Sequence, residues 1–308
     1  MDVRNEILSA HHSLIAGTTG SGKSTVLNAV ICEGLERGYA FWFIDLKRVE
    51  LNQYKKTKNC LAFAKEPEQA VSLLDDIIDD MDDEYDRMEA RGLKESERPH
   101  RYLVIDELAD LLNTDGVLDR IVKIGRLGRA AHIHMIGATQ DPSRKTLSAQ
   151  LMQNITCAVA LRCKNSTESR QIIGEAGAES LPEHGKCYVS TFKGIKKADS
   201  PFISNEDIDR IISAHSNDVR CSELPSVEPS IENASTLARA DKWIEESFFS
   251  APVSKEGAKR IYNVITLIIA LSFLTVILTT PGVLESIVST LIAGIVVVRL
   301  FLGGRKRR

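Results

Sequence analysis

Short apolar runs recur along the first two thirds of the chain and are separated by polar or glycine-containing segments. Runs of this length between turn-forming residues are typical of buried strands. They occupy residues 12–16, 39–45, 102–107, 132–140, 154–161 and 186–190. Helical patterns lie between several of them, over residues 26–34 and from Pro67 onward. The alternation predicts an α/β fold with a mostly parallel sheet and helices on both faces.

The long helical pattern that starts at Pro67 has one apolar face and one acidic face. Apolar residues recur at steps of three and four, as one face of a helix requires; they are Leu74, Ile77, Ile78, Met81, Tyr85 and Met88. The other face carries Asp75, Asp76, Asp79, Asp80, Asp82, Asp83 and Asp86. The cluster lacks the glycine and the ligand order of a calcium loop. A solvated helix face is therefore favoured, and a divalent-metal site is the alternative.

Two apolar segments near the C-terminus predict a transmembrane helical hairpin. Residues 261–280 contain no charged residue and are long enough to cross a bilayer as a helix. A Pro-Gly pair interrupts the pattern, and residues 283–302 then form a second apolar stretch with one charge near each end. A buried helical hairpin is the alternative interpretation.

Basic residues flank both outer ends of the predicted hairpin, whereas the turn between its helices carries none. They are Lys255, Lys259 and Arg260 on one side and Arg305, Lys306, Arg307 and Arg308 on the other. Because cytoplasmic flanks carry an excess of Lys and Arg, both ends are expected in the cytoplasm. The chain is thus divided into an α/β domain (residues 1–217), a polar linker (218–254) and a two-helix membrane anchor with a basic tail (255–308). We expect a multi-pass protein of the cell membrane whose α/β domain faces the cytoplasm.

Composition adds two limits to this picture. The 308 residues carry a formal net charge of −3 at pH 7, so any surface that binds nucleic acid must be local. The six cysteines are scattered without a CxxC pair, and we expect buried thiols in a reducing compartment.

A glycine-rich loop follows the first predicted strand and precedes a predicted helix. It fits the pattern G-x-x-x-x-G-K-[ST] and comprises Gly17, Thr18, Thr19, Gly20, Ser21, Gly22, Lys23, Ser24 and Thr25. Glycines let successive backbone N–H groups point at phosphate oxygens, and a helix N-terminus adds its positive end. Lys23 is expected to reach the β- and γ-phosphates of ATP, and the Ser24 hydroxyl to hold Mg²⁺.

Two carboxylates and one amide follow later strands. Asp106 and Glu107 end the run 102–107, and Gln140 ends the run 132–140. Asp106 is expected to hold Mg²⁺ through water, and Glu107 to orient and polarise the attacking water. Gln140 is of a residue type that senses a γ-phosphate from a neighbouring strand.

Several segments together resemble the FtsK/SpoIIIE family of DNA-translocating motors. Besides the glycine-rich loop, the similar blocks are residues 43–51, 103–111, 128–134 leading into 138–140, 169–173, 177–181 and 184–185. The Ala-Asp-Leu at residues 109–111 is more diagnostic of the family than Asp106 and Glu107 alone. The similarity runs from about residue 12 to residue 215.

The resemblance implies a RecA-like P-loop NTPase that forms hexameric rings, with ATP sites between subunits and duplex DNA in the central channel. An arginine from the next subunit would stabilise the transferring phosphoryl group. The candidates are Arg126, Arg129, Arg162 and Arg170, of which Arg129 and Arg170 are favoured. Arg144 and Lys145, in the segment after Gln140, are candidates for contacts with DNA phosphates.

The chain departs from the family pattern in two ways. Asp141 stands where the family usually has an arginine before proline, and the predicted membrane hairpin follows the motor instead of preceding it. These departures favour a short relative from a mobile element.

The predicted function is a membrane-anchored, ATP-dependent translocase of double-stranded DNA for a conjugative or phage-like element. Its expected partners are DNA, further copies of the chain, the membrane and separate proteins of a transfer apparatus. The alternatives are an ATPase that powers protein secretion, an ATPase for virion assembly or export, and a membrane scaffold that binds ATP without turning it over.

Overall fold

The computed structural model describes residues 1–216 and 222–223. Its strands are β1 (His12–Ala16), β2 (Ala40–Ile44), β3 (Cys60–Ala64), β4 (Arg101–Ile105), β5 (Ile133–Thr139), β6 (Cys157–Ala160), β7 (Lys186–Thr191), β8 (Gly194–Asp199) and β9 (Ser222–Glu223). Its α-helices are α1 (Val3–Ser9), α2 (Lys23–Glu36), α3 (Pro67–Arg91), α4 (Leu108–Leu111), α5 (Val117–Leu127), α6 (Ala149–Met152), α7 (Ser166–Ile173) and α8 (Asn205–Ala214). Short 3₁₀-helices cover Asn52–Lys56 and Ala178–Ser180.

All nine of these strands form one sheet, in the order β8-β7-β6-β1-β5-β4-β2-β3-β9. The seven strands from β6 to β9 in that order run parallel. β7 and β8 are antiparallel to their neighbours. The predicted strands and the mostly parallel sheet are therefore confirmed. We call the edge where the parallel strands end the carboxyl edge, because it carries the functional residues described below.

Three of the nine strands, β3, β8 and β9, escaped the sequence analysis. β9 has only two residues and falls in the segment predicted as a linker. The other two escaped for different reasons. β3 is a short apolar run, Cys-Leu-Ala-Phe-Ala, that follows a lysine-rich segment without a glycine or proline boundary. β8 is largely exposed and carries Lys196 and Lys197 in its middle. Its pairing with β7 across a tight turn, instead of apolar burial, makes it a strand.

Two apolar clusters cover the two faces of the sheet, and alternate residues of each central strand belong to different clusters. On β1, Leu14 packs in the cluster that includes α3 and α5, whereas Ile15 packs in the cluster that includes α1, α2 and α8. On β2, Trp42 belongs to the first of these clusters and Phe41 to the second. Burial on both faces explains why the strands read as continuous apolar runs.

The acidic face of α3 is largely exposed to solvent, as expected, and some of its carboxylates also form ion pairs that the sequence did not predict. Asp75 accepts from Arg120 at 2.7 Å, Asp82 from Lys123 at 3.1 Å and Asp80 from Arg98 at 3.0 Å. Asp80 also pairs with the buried Arg101. Within the part of the chain that the structure describes, no group of three or more His, Cys, Asp or Glu side chains is arranged to hold a metal ion.

The predicted hairpin lies outside the described residues, and so does the predicted linker apart from Ser222–Glu223, which forms β9. The boundaries of both segments stay predictions. No helix within residues 1–216 and 222–223 combines the length and the apolar character needed to cross a bilayer.

The cysteines only partly follow the expectation of buried thiols. Cys32, Cys157, Cys163 and Cys187 are free and buried. Cys60 is disulfide-bonded, contrary to the expectation for a reducing compartment.

Two buried histidines lie near the amino ends of the central strands. His134 Nδ1 lies 3.0 Å from the carbonyl oxygen of His11, so it donates there, and His134 Nε2 accepts from His100 Nδ1 at 2.8 Å. His12 Nδ1 accepts from the backbone N–H of Met135. Burial lowers the pKa of His134 to about 3 and that of His12 to about 4. Both imidazoles are therefore neutral in the folded protein at neutral pH.

We expect these histidines to make the fold sensitive to acid. Because their folded pKa values lie below the unfolded value of about 6.5, the stability they contribute is present above pH 6.5 and is lost as pH falls toward 4. Each histidine adds a slope of about 1.4 kcal/mol per pH unit in this window. His134→Asn should flatten the pH dependence of the free energy of unfolding by about that amount, measured by denaturant titration between pH 4 and pH 7. The exposed His184→Asn is the control, and an unchanged slope in His134→Asn would refute the assignment.

Candidate nucleotide site at the carboxyl edge

The glycine-rich loop connects β1 to α2 and needs glycine at defined positions. Gly22 caps α2 with φ of 96°, a left-handed conformation that side chains other than glycine rarely adopt. A Cβ at Gly17 would lie 2.8 Å from the Leu161 Cβ and 2.7 Å from the Ser21 Oγ. The same Ser21 hydroxyl is buried and has no hydrogen-bond partner among the described residues. The unpaired Ser21 hydroxyl and the tight packing around Gly17 are what a loop that encloses an anion requires.

Neighbouring strands hold this loop at the carboxyl edge. The Gly17 N–H donates to the Thr139 carbonyl at 3.3 Å, and the Thr18 N–H to the Arg162 carbonyl at 2.9 Å. Lys23 Nζ folds back and donates to the carbonyls of Gly17 and Thr18, both at 3.0 Å. Burial lowers the pKa of Lys23, and the attraction of Glu107 and Asp106 opposes that shift. Its ammonium is thus held by weak, replaceable acceptors.

Two cavities adjoin the loop. The P-loop cavity has a volume of about 440 Å³ and is lined by Gly20, Gly22, Lys23, Ser24, Thr25, Glu50, Asp106 and other residues. The second cavity has a volume of about 380 Å³ and is lined by Glu107, Asp110, Asn113, Asp141, Lys145, Lys164 and other residues. Thr19, Lys47 and Gln140 line both cavities. These three side chains therefore form the boundary between them.

Asp106 follows β4 and faces the P-loop cavity together with Ser24. Burial and repulsion from Asp45 and Glu50 raise the pKa of its carboxyl to about 6. A cation beside this carboxylate would offset both effects. Mg²⁺ prefers oxygen ligands and usually retains several waters. Asp106 and Ser24 therefore fit the expected magnesium site.

Glu107 is 7% exposed and its carboxylate accepts several hydrogen bonds. Its Oε1 accepts from the Thr139 hydroxyl at 2.7 Å and from the Gln140 N–H at 3.1 Å. Its Oε2 lies 3.3 Å from Lys47 Nζ. The carboxylate lines the second cavity and not the P-loop cavity. The predicted base is therefore beside the site but turned toward the second cavity.

Gln140 contacts the loop directly. The Thr19 hydroxyl donates to Gln140 Oε1 at 2.6 Å, and the Gln140 N–H donates to Glu107. The amide thus links the glycine-rich loop to the predicted base, which is where a residue that senses a phosphate needs to lie.

The predicted cationic residues lie farther from the loop. Arg129 precedes β5 and lies toward the amino ends of the parallel strands, and Arg170 is an exposed residue of α7 that donates to the Ser166 hydroxyl. Neither lines the P-loop cavity within the described chain. Arg144 is exposed, and Lys145 donates to Asn113 at 3.3 Å. Their roles between subunits or with DNA stay predictions.

Asp141, which stands where the family usually has an arginine, has a structural role. Its carboxylate accepts from the Ser143 N–H and hydroxyl, both at 3.1 Å, and from the Thr146 hydroxyl at 3.2 Å. These bonds shape the segment that carries Arg144 and Lys145.

Sequence reasoning missed Lys47 and Thr139 as site residues. Lys47 follows β2 and Thr139 ends β5, and both strands reach the carboxyl edge. This position at a strand end could have identified them, because ligands bind at that edge of a parallel sheet. The buried Asp45 organises the turn that presents Lys47, because it accepts from the N–H groups of Arg48 at 2.7 Å and Leu51 at 2.9 Å.

The parallel α/β sheet, the glycine-rich loop between β1 and α2, and the carboxylates after β4 define a P-loop ATPase domain. The FtsK/SpoIIIE family model matches residues 2–103. Together with the relatives below, this match confirms the resemblance, and the chain carries an ATPase domain of the FtsK/SpoIIIE family.

Similar sequences include bacterial proteins named DNA translocase FtsK. DNA translocase FtsK of Streptococcus pneumoniae is 32% identical over 233 residues, which is 66% of this chain and 30% of the relative. DNA translocase FtsK of Oceanobacillus iheyensis is 32% identical over 238 residues, 68% of this chain and 30% of the relative. The chain thus matches about 30% of the length of these relatives.

Solved structures with the same fold include two ATPases. The pCW3 conjugation coupling protein TcpA, solved with ATPγS, aligns with a TM-score of 0.61 at 22% identity over 68% of this chain and 66% of that chain. The type VII secretion ATPase EccC of Thermomonospora curvata aligns with a TM-score of 0.59 at 20% identity over 71% of this chain and 30% of that chain. At these identities the likeness concerns the fold.

We expect Asp106→Asn to stabilise the metal-free protein at alkaline pH. Because the pKa of Asp106 in the folded protein is raised above its ordinary value of 3.8, ionisation of Asp106 opposes folding. This cost is absent below pH 3.8 and complete above about pH 6. It is at most about 3 kcal/mol, and less because solvent screens a partly exposed group. Denaturant unfolding in EDTA should show the gain at pH 8 and none at pH 3.5.

The exposed Asp209→Asn is the matched control for this variant. Equal effects of the two substitutions at pH 8 would show that the environment of Asp106 does not disfavour its charge.

Proposed function

We propose that this protein is a membrane-anchored, ATP-dependent translocase of double-stranded DNA. The observation that carries the proposal is the 32% identity to DNA translocases. The gathering of Lys23, Asp106, Glu107 and Gln140 at one sheet edge supports it, because a protein that only binds nucleotide has no chemical need for Glu107.

In the proposed mechanism, the backbone N–H groups of residues 17–25 hold the phosphates of ATP. Lys23 exchanges its present carbonyl acceptors for phosphate oxygens, which are stronger acceptors because they are charged. Ser24 and Asp106 would hold Mg²⁺, which would supply positive charge beside the phosphates. Glu107 takes up a proton of the water that attacks the γ-phosphorus, the bond from that phosphorus to the β–γ bridging oxygen breaks, and ADP leaves. Gln140 contacts the γ-phosphate.

We further propose a hexameric ring in which Arg129 or Arg170 acts on the site of the adjacent subunit. Arg144 and Lys145 would face the channel and contact DNA phosphates, which positions a duplex without reading its sequence. Residues 255–308 would anchor the ring to the inner face of the cell membrane. Transfer of DNA by a conjugative or phage-like element suits this arrangement.

The decisive experiment measures ATP turnover of the full chain in detergent, with and without duplex DNA. We expect duplex DNA to stimulate turnover about tenfold or more, and added salt to weaken the stimulation because phosphate contacts release counterions. Lys23→Ala should abolish turnover, since it removes the ammonium that lies within the glycine-rich loop. Arg144→Ala should reduce the stimulation and leave turnover without DNA unchanged.

Other outcomes separate the alternatives. ATP turnover that is the same with and without duplex DNA would favour a protein cargo or virion assembly. Absence of turnover in a confirmed oligomer would favour the scaffold.

Membrane anchoring is tested by deletion of residues 255–308. We expect the full chain to stay in the membrane fraction after alkaline carbonate extraction, because two spanning helices are not released by charge or pH. The truncated chain should move to the soluble fraction. Release of the full chain by carbonate would contradict the proposed spanning hairpin.

A further inference from the structure

We propose that Lys47 is a positioning residue that holds Glu107 toward the second cavity and releases it when a nucleotide γ-phosphate enters the P-loop cavity. The inference rests on the proposed ATPase function and adds to it a means by which the base is engaged only when ATP is present.

The first observation is the position of Lys47 between two sets of charges. Its Nζ lies 3.3 Å from Glu107 Oε2 and 3.3 Å from Asp110 Oδ2. The same side chain lines both the P-loop cavity and the second cavity, whereas Glu107 and Asp110 line only the second. The ammonium therefore lies where it can be attracted from either side.

The second observation concerns the hydrogen bonds that the two oxygens of the Glu107 carboxylate already accept. Oε1 accepts from the Thr139 hydroxyl at 2.7 Å and from the Gln140 N–H at 3.1 Å, both at the end of β5. Oε2 accepts from Lys47 at 3.3 Å and shares the Gln140 N–H, also at 3.3 Å. An oxygen that already accepts a charge-assisted hydrogen bond is a poorer acceptor for a water proton. Loss of the Lys47 contact would leave Oε2 with only the shared, neutral hydrogen bond, while Oε1 stays anchored.

The third observation concerns mobility. The Lys47 side chain is 41% exposed, whereas that of Glu107 is 6% exposed. Burial lowers the pKa of Lys47, but the attraction of Glu107 and Asp110 outweighs that effect and the pKa lies above its ordinary value. Lys47 is thus a charged group on a flexible stem, and it is the partner of Glu107 best able to move.

A γ-phosphate supplies the competing attraction. It would enter beside Lys23 and Ser24, in the P-loop cavity that Lys47 lines and Glu107 does not. ADP lacks this group, so it leaves Lys47 with the carboxylates. The exchange of partners makes Lys47 a detector of ATP as opposed to ADP, and the base becomes available in the ATP state.

The test is equilibrium binding of ATPγS and of ADP to the full chain in detergent. Lys47→Met keeps the length of the side chain and removes its charge. It should weaken ATPγS binding about tenfold, since it removes a charge-assisted contact, and change ADP affinity less than twofold. Lys47→Arg should retain most of the preference for ATPγS. Lys164→Met, an exposed lysine of the second cavity, is the matched control and should change neither affinity.

A double-mutant cycle with Glu107→Gln separates release from simple electrostatics. Because a neutral amide holds Lys47 less strongly, Glu107→Gln should tighten ATPγS binding several-fold when Lys47 is present. This gain should be absent in the Lys47→Met background. A gain that persists there would reflect only the loss of one negative charge and would overturn the proposal.

Two further outcomes are decisive. Equal weakening of ATPγS and ADP by Lys47→Met would mean that Lys47 only supports the local structure, and would overturn the proposal. Failure of the unmodified chain to bind either nucleotide would instead refute the proposed nucleotide site itself.

Discussion

The parallel alignment of β1, β5, β4 and β2 is the constraint on which the site depends. Strands that run in one direction end at one edge, so residues far apart in sequence meet there. The glycine-rich loop leaves β1, Lys47 follows β2, Glu107 follows β4 and Gln140 follows β5. Burial on both faces of the sheet holds this register, since a slip of one residue would move every side chain to the opposite face.

The charges at this edge are balanced locally. Asp106 and Glu107 are opposed by the buried Lys23 and the partly exposed Lys47. Lys23 rests on two backbone carbonyls, and Lys47 is shared between two carboxylates. Neutral carbonyls and a partly exposed ion pair are weaker partners than a charged phosphate. The arrangement thus stabilises the empty loop without competing strongly with a nucleotide.

Patterns that depend on local chemistry were predictable from the sequence. The buried strands and α3 followed from runs and periodicity, and the loop followed from glycine, lysine and serine at fixed spacing. Prediction failed where long-range partners decide the outcome. β8 is a strand because β7 pairs with it, and the acidic face of α3 is ordered by basic groups such as Arg120 and Arg98. Asp141, which appeared only as a departure from a family pattern, shapes its own loop.

By itself, the sequence determined the α/β class, the phosphate-binding loop, the two carboxylates after β4 and the family. Each of these features depends on residues that are close in sequence, because backbone geometry and phosphate chemistry require particular residue types at a particular spacing. The tertiary structure alone decided that Glu107 faces a second cavity, that Thr139 and Gln140 anchor it, and that Lys47 lies between it and the nucleotide site. Such facts depend on the distances between ends of different strands, and no local pattern encodes a distance between residues sixty positions apart.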